Sequence, residues 1–233
     1  MTQKERITKI TQLLKRDYPE VMTPLLHKSA FQLIVATMLS AQTLDATVNK
    51  VTPTLFKKYK TVEDFSKANP HDIDKIIKIV NYHRTKSKNI VTMSQKLLKD
   101  HNGILPHTIE ELTKLPGIGR KTANVLISEW FAKPLNQRGN PTLIDPELKP
   151  GEDIVVLPEG FVVDTHVLRV SFRLKLTKNK TPEKVEQDLM KIFPRKEWND
   201  MSLRLIFHGR FRCKARQNLC CLDLDWSKLC TCS

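Results

Sequence analysis

The sequence predicts an all-α protein. Apolar residues recur at helical spacing, as in Ile7, Ile10, Leu13 and Leu14 and again in Ile90, Met93, Leu97 and Leu98. Cap-forming residues stand where such runs begin and end, Ser29 before one and Gly103 after another. Alternating apolar and polar stretches, the mark of half-buried strands, are sparse.

Taken in order, Ile7 to Leu14 mark one apolar face of a first helix that ends at Pro19. Ser29 is placed to cap the next, whose run Phe31, Leu33, Ile34, Val35, Met38 and Leu39 is apolar on most faces. That pattern predicts the buried centre of a helical domain. Leu39-Ser40-Ala41-Gln42-Thr43-Leu44-Asp45 follows, and Asp45 starts a helix through Tyr59. Shorter helices are expected around Val62 to Lys67 and Asp72 to Ile79, then a polar loop, Val80-Asn81-Tyr82-His83-Arg84, with one aromatic residue. A helix from Thr85 to Asp100 is closed by His101-Asn102-Gly103, with Gly103 as a left-handed cap. A short helix over Thr108 to Lys114 leads through a tight turn into a helix from Lys121 to Phe131. Lys133 to Gly160 contains Pro134, Pro141, Pro146, Pro150 and Pro158 and predicts a long loop, with a short hairpin around Ile154 to Leu157. Helical pattern resumes at Thr165 and continues through Val185, Leu189, Ile192 and Phe193 and from Met201 to Arg210.

Lys plus Arg number 39 against 25 Asp plus Glu, a net charge of +14. A balance so basic points to a polyanionic partner, nucleic acid or an anionic surface. Aromatic residues make up only 6%, which disfavours a stacking platform for single strands. Met1-Thr2-Gln3-Lys4-Glu5-Arg6 runs into charged helical sequence without an apolar segment, and the apolar run Phe31 to Leu39 is too short to cross a bilayer. A soluble intracellular protein of cytoplasm or nucleoid is expected, with no membrane partner.

The chemistry concentrates in Leu115-Pro116-Gly117-Ile118-Gly119-Arg120-Lys121-Thr122. Pro116, Gly117 and Gly119 predict a tight hairpin, since glycine tolerates positive φ and close backbone approach. Backbone N–H groups opening onto a helix N-terminus form a site for one phosphate, gripped without regard to base sequence. Lys121 falls in the first turn, where the helix field disfavours a cation and should lower its pKa. A neutral amine beside bound phosphate is a candidate nucleophile; an ordinary phosphate-binding lysine is the alternative.

Val162-Val163-Asp164-Thr165-His166 sets an aspartate before a helix. Asp164 reads as an N-cap and also as a carboxylate that a cleft could use. Cys213, Cys220, Cys221, Cys230 and Cys232 all lie near the C-terminus, a concentration that suggests a metal or cluster site more than disulfides.

Together Leu115 to Leu126 and Asp164 resemble the helix-hairpin-helix, Gly/Pro-rich-loop and aspartate superfamily of base-excision DNA glycosylases, and within it the endonuclease III-like branch. Leu39-Ser40-Ala41-Gln42, Val48-Asn49-Lys50, His101-Asn102-Gly103, Val163-Asp164-Thr165-His166 and His208-Gly209-Arg210 extend the resemblance over nearly the whole chain. It implies two helical domains flanking a DNA-binding cleft, one over 22–132 with six helices, the other joining 1–21 to 133–233. It implies a monomer acting on double-stranded DNA with a damaged base or abasic site, flipping the nucleotide out. Lys121 would form a Schiff base with the sugar, releasing an oxidised pyrimidine and cutting the strand by β-elimination, with Asp164 assisting. A mismatch or alkylated-base glycosylase of the same fold, and a non-catalytic DNA-binding protein, remain alternatives.

The resemblance further implies DNA contacts by Gly117, Gly119 and Arg120. Gln42 would reach the space left by the flipped nucleotide, and Tyr82 stands where the family wedges a loop residue into the duplex. A polar helix end and a plain surface tyrosine are the alternatives. His166 and Arg169 would touch phosphate, or form a solvated helix face. Many members hold a [4Fe–4S] cluster through Cys-x6-Cys-x2-Cys-x5-Cys. Here Cys213 and Cys220 keep the first gap, but the third ligand position falls on Asp223 or, counted from Cys221, on Leu224. A rearranged cluster, a lost cluster and a zinc site all stay open, drawing on at most four of Cys213, Cys220, Cys221, Cys230 and Cys232.

Overall fold

A computed structural model describes residues 1–132, 157–216 and 219–230, without the side chain of Cys221. It is helical, with no strand among the described residues. The hairpin expected around Ile154 to Leu157 and most of the proline-rich loop lie outside them, as do Cys232 and the Cys221 side chain. The chain divides into two compact units, one over Pro24–Glu159 and one joining Met1–Thr23 to Gly160–Ser233.

In the first unit, α2 (Ala30–Ser40) is the hub. The Ser29 side chain accepts from Gln32 N, and every residue from Ala30 to Leu39 except Gln32 is buried. At roughly 1.5–3 kcal/mol per fully buried Leu, Ile or Phe, this helix dominates the unit's core. α3 (Asp45–Lys58), α4 (Val62–Ser66), α5 (Pro70–Ile76) and α6 (His83–His101) surround it, followed by α7 (Ile109–Leu112) and α8 (Arg120–Leu126). Thr61 and Asp64 form a capping box on α4, and Asn69 with Pro70 starts α5 two residues before the expected Asp72. α6 starts at His83 rather than Thr85, because Tyr82 is left-handed (φ 57°) and turns the chain directly into the helix. At its end Asn102 (φ 54°) shares the left-handed cap with Gly103 (φ 85°). The helix predicted over Lys121 to Phe131 changes character midway: Ile127–Phe131 is one π-helical turn. The Glu159 carboxylate accepts from Ile109 N at the start of α7.

The second unit begins with α1 (Gln3–Asp17), started by a Thr2–Glu5 capping box and burying Ile10, Leu13 and Leu14. Sequence-distant α9 (Thr165–Arg173), α10 (Pro182–Ile192), α11 (Trp198–Phe211) and α12 (Leu224–Ser227) complete it. Arg204 on α11 donates to the Tyr18 and Pro19 carbonyls at the end of α1, and Arg6 on α1 donates to the Leu174 and Leu229 carbonyls. α9 crosses α11 at Gly209: a Cβ there would lie 2.9 Å from His166 Cβ and 3.1 Å from Val170 Cγ2. Among the described residues no helix is long and apolar enough to cross a membrane.

Candidate functional site

The hairpin folds as the glycines predict, but each for its own reason. Leu112, Leu115 and Ile118 anchor it in the core. Gly117 takes φ 78°, and a Cβ there would sit 2.9 Å from both Asn89 Cβ and Met38 Cε. Gly119 has an ordinary φ of −92° and a Cβ there would meet nothing within 4 Å. It is the N-cap of α8, and among the described residues no side-chain cap bond satisfies the first N–H groups of that helix. Gly119, Arg120 and Lys121 are exposed. Lys121 occupies the first turn and makes no hydrogen bond or ion pair among the described residues.

The structure brings Gln42 and Tyr82 together on neighbouring loops, both exposed and both left-handed, with φ of 56° and 57°. Asn81 Nδ2 donates to the Gln42 carbonyl (2.5 Å), and Asn81 N donates to Thr43 Oγ1 (3.1 Å). Beneath them lies Lys86, a residue the sequence reading did not single out. Its Nζ donates to the carbonyls of Leu39 (2.7 Å) and Ala41 (2.6 Å) at the end of α2. A buried ammonium is thus aimed at the negative end of a helix. Burial lowers the Lys86 pKa from 10.5 to about 8.

The unfolded chain therefore holds this proton to higher pH than the folded one. The Lys86 contribution makes stability rise between about pH 8 and pH 10.5. Lys86→Met should lower the melting temperature and detach the two loops. The gap to wild type should widen between about pH 7 and about pH 9.5 in thermal melts. A constant gap would contradict this.

In the other unit, Asp164 caps α9 through one oxygen, Oδ1, which accepts from His166 N and Val167 N at 2.8 Å each. Oδ2 makes no hydrogen bond among the described residues. The carboxylate is half-buried. His166 Nδ1 lies 3.2 Å from Arg169 Nη2, and the same guanidinium donates to the Gly209 (2.9 Å) and Cys213 (3.1 Å) carbonyls. Burial lowers the His166 pKa, against the raising effect of Asp164. His166 and Arg169 thus tie α9 to the end of α11, more than the solvated face the sequence alone would allow.

Cys213, Cys220 and Cys230 converge in a buried centre. The Cys220 and Cys230 sulfurs are 3.3 Å apart, and Arg173 Nη1 lies 3.4 Å from Cys213 Sγ. Cys213 is held below its ordinary pKa by its contacts with Cys220 and Cys230, which are pushed up in return. His208 is the second residue that sequence reading passed over as a donor. One of its ring nitrogens lies within 4.8 Å of the Cys213 and Cys220 sulfurs. Burial pushes its pKa down to about 4. Asp223, where the family spacing puts a third cysteine, is committed elsewhere: Oδ1 accepts from Asp225 N and Trp226 N, and Oδ2 from Arg212. Three of the five C-terminal cysteines, Cys213, Cys220 and Cys230, are thus buried together, an arrangement compatible with the cluster that the family spacing implies.

Residues 35–195 match the family described as HhH-GPD superfamily base excision DNA repair protein. Over 219 residues the chain is 37% identical to endonuclease III of Synechocystis sp., covering 94% of this chain and 89% of that one. The chain belongs to the endonuclease III family. Endonuclease III of Bacillus subtilis is 39% identical over 204 residues, 87% of this chain and 82% of its own. A solved structure of a trapped endonuclease III–DNA covalent intermediate, an estranged-adenine complex, superimposes with a TM-score of 0.82 at 35% identity, over 99% of this chain and 96% of the other. An endonuclease III fold accounts for the all-helical pattern and for the turn that presents Lys121.

Proposed function

We propose that this endonuclease III family member excises oxidised pyrimidines from duplex DNA and then cuts the strand at the vacated sugar. The observation that carries the reading is the placement of Lys121. It is exposed, unpaired among the described residues, and one helical step past an uncapped N-terminus that can grip a phosphate. A relative's capture as a covalent DNA intermediate supports a nucleophile of this kind.

The sequence of events follows from the groups available. The duplex binds through the basic surface and the α8 N-terminus, and the damaged nucleotide swings out. Exposed Gln42 and Tyr82, on two loops pinned together, are suited to fill and wedge the gap. Lys121 Nζ attacks C1′ of the sugar through its lone pair. The C1′–N bond breaks and its electron pair leaves with the base, which takes up a proton. Ring opening gives a Schiff base between Nζ and C1′. Loss of a C2′ proton then expels the 3′ phosphate, so the strand is cut 3′ to the lesion. Asp164, with Oδ1 spent on the cap, would use Oδ2 to offset positive charge on the sugar and accept protons.

The test is borohydride reduction during incubation with abasic duplex DNA. A covalent protein–DNA adduct is expected, carried by Lys121. No adduct, or one that persists in Lys121→Ala, overturns the reading. A set of single-lesion duplexes ranks oxidised pyrimidines against mismatched and alkylated bases.

A further inference from the structure

Gln42 and Tyr82 extend from two loops whose backbones are tied to each other, and the ties converge on one buried cation. We propose that Lys86, with Thr43 and Asn81, forms a positioning clasp that holds Gln42 and Tyr82 as a single preformed probe for opening a base pair. The inference rests on the excision reading above and adds to it which residues aim the two side chains.

Lys86 reaches both loops. Its ammonium donates to the carbonyls of Leu39 (2.7 Å) and Ala41 (2.6 Å) and to Thr43 Oγ1 (3.4 Å), all within four residues of Gln42. Its backbone N–H donates to the Tyr82 carbonyl at 3.0 Å, on the other loop. Thr43 Oγ1 also accepts from Asn81 N (3.1 Å), so one hydroxyl joins the two loops. Asn81 Nδ2 donates to the Gln42 carbonyl (2.5 Å), and the residue before Tyr82 thereby grips Gln42 itself. On the far side of Tyr82, His83 Nδ1 lies 2.5 Å from Asp74 Oδ1 and pins the start of α6.

The second observation is backbone strain at the two tips. Gln42 (φ 56°) and Tyr82 (φ 57°) are both left-handed. That conformation is uncommon for residues other than glycine, and it persists only where the surroundings over-determine it. Here the surroundings are the bonds just named. The side chains, by contrast, are unspent. Neither makes a hydrogen bond among the described residues, and Tyr82 is 63% exposed. Fixed backbones thus carry side chains whose ends are available to a duplex.

An ammonium suits the centre of the clasp. The last carbonyls of α2 have no donor within their own helix, and a cation is favoured at that end. Lys86 is only 8% exposed, so water competes little for its bonds. Donation to three oxygens fixes the direction in which the chain leaves α2, which an apolar side chain of the same length could not do. Order beforehand matters for the reaction. Extruding a nucleotide costs pairing and stacking, and a probe already ordered gives up no further freedom on insertion. With the clasp released, that freedom is lost during extrusion, and extrusion slows.

The test uses the full-length protein and a duplex with 2-aminopurine beside a tetrahydrofuran abasic analogue, which the lyase chemistry cannot cut. The fluorescence of 2-aminopurine rises as its step is unstacked, and wild type should produce that rise. Thr43→Val combined with Asn81→Ala removes both bridges at residues outside the core and should slow the rise by about 10-fold or more. Thr43→Ser keeps the hydroxyl and should match wild type. Single-turnover base release from thymine glycol opposite adenine should fall about 10²-fold in the double variant and in Lys86→Met, but at most about 3-fold when the lesion faces no base and no pair remains to open. If Lys86→Met does not fold, the double variant decides. A wild type without the rise, an unslowed rise in the double variant, Thr43→Ser as slow as the double variant, or equal losses on the two duplexes each overturns the clasp. The fluorescence needs no bond to break, whereas the Lys121 adduct reports the bond chemistry alone, so the failure of either leaves the other standing.

Discussion

Lys121→Gln will abolish the borohydride-trapped adduct and strand cutting, and lower base release on the order of 10⁴-fold or more, without changing the melting temperature. The side chain is exposed and makes no partner among the described residues, so nothing in the fold depends on it. Asp164 makes the same separation harder and more informative, because it has a structural task as well. Asn caps a helix about as well as Asp, so Asp164→Asn should keep both 2.8 Å cap bonds and the stability with them. It removes the negative charge, and turnover should fall by about 10²–10⁴-fold. Asp164→Ala loses cap and charge together, with a further cost of about 1 kcal/mol in stability. Full activity in the Asn variant would leave Asp164 as a cap alone. Single-turnover base release with parallel thermal melts separates these outcomes.

Gly117→Ala and Gly119→Ser should act in opposite ways. At Gly117 a side chain meets a left-handed φ of 78° and contacts of 2.9 Å on two sides. The backbone cost is roughly 1–2 kcal/mol and the overlap adds about 1–3. In a chain of this size each kcal/mol moves the melting temperature by roughly 2–4 °C. At Gly119 the added atoms meet nothing, and serine is a preferred helix cap, so stability should hold or rise by a few tenths of a kcal/mol. The same hydroxyl would occupy the N–H groups that a phosphate needs. Affinity for an abasic-analogue duplex should therefore drop, with a shallower dependence on salt. Fluorescence anisotropy across a salt series checks this, and unchanged binding would remove the phosphate from this turn.

Most helices were legible because their apolar spacing and their caps agree, as in α2 with Ser29 and α1 with its face of Ile10, Leu13 and Leu14. The exceptions have physical reasons. α6 starts early because Tyr82 adopts a left-handed conformation that side-chain pattern does not reveal. The π-helical turn at Ile127–Phe131 keeps a helical apolar run, so only the backbone distinguishes it. Gly119 carries the same letter as Gly117 but needs neither positive φ nor close packing. Lys86 was hidden in a polar stretch, since a lysine on a helix ordinarily faces water and only the fold puts it under α2. His208 sat in view as part of His208-Gly209-Arg210, five positions before Cys213, and that nearness to the first cysteine was the signal available.

The discontinuous unit has a consequence for how the chain acquires its shape during translation. α1 leaves the ribosome well before α11, with Ile10, Leu13 and Leu14 unsheltered, yet it packs on α11, which begins at residue 198. The unit spanning Pro24–Glu159 is contiguous and can settle while the remainder is still being synthesised. α1 must wait through that interval as an amphipathic strip, tethered and open to holdase chaperones, until the helices after Gly160 arrive to cover it.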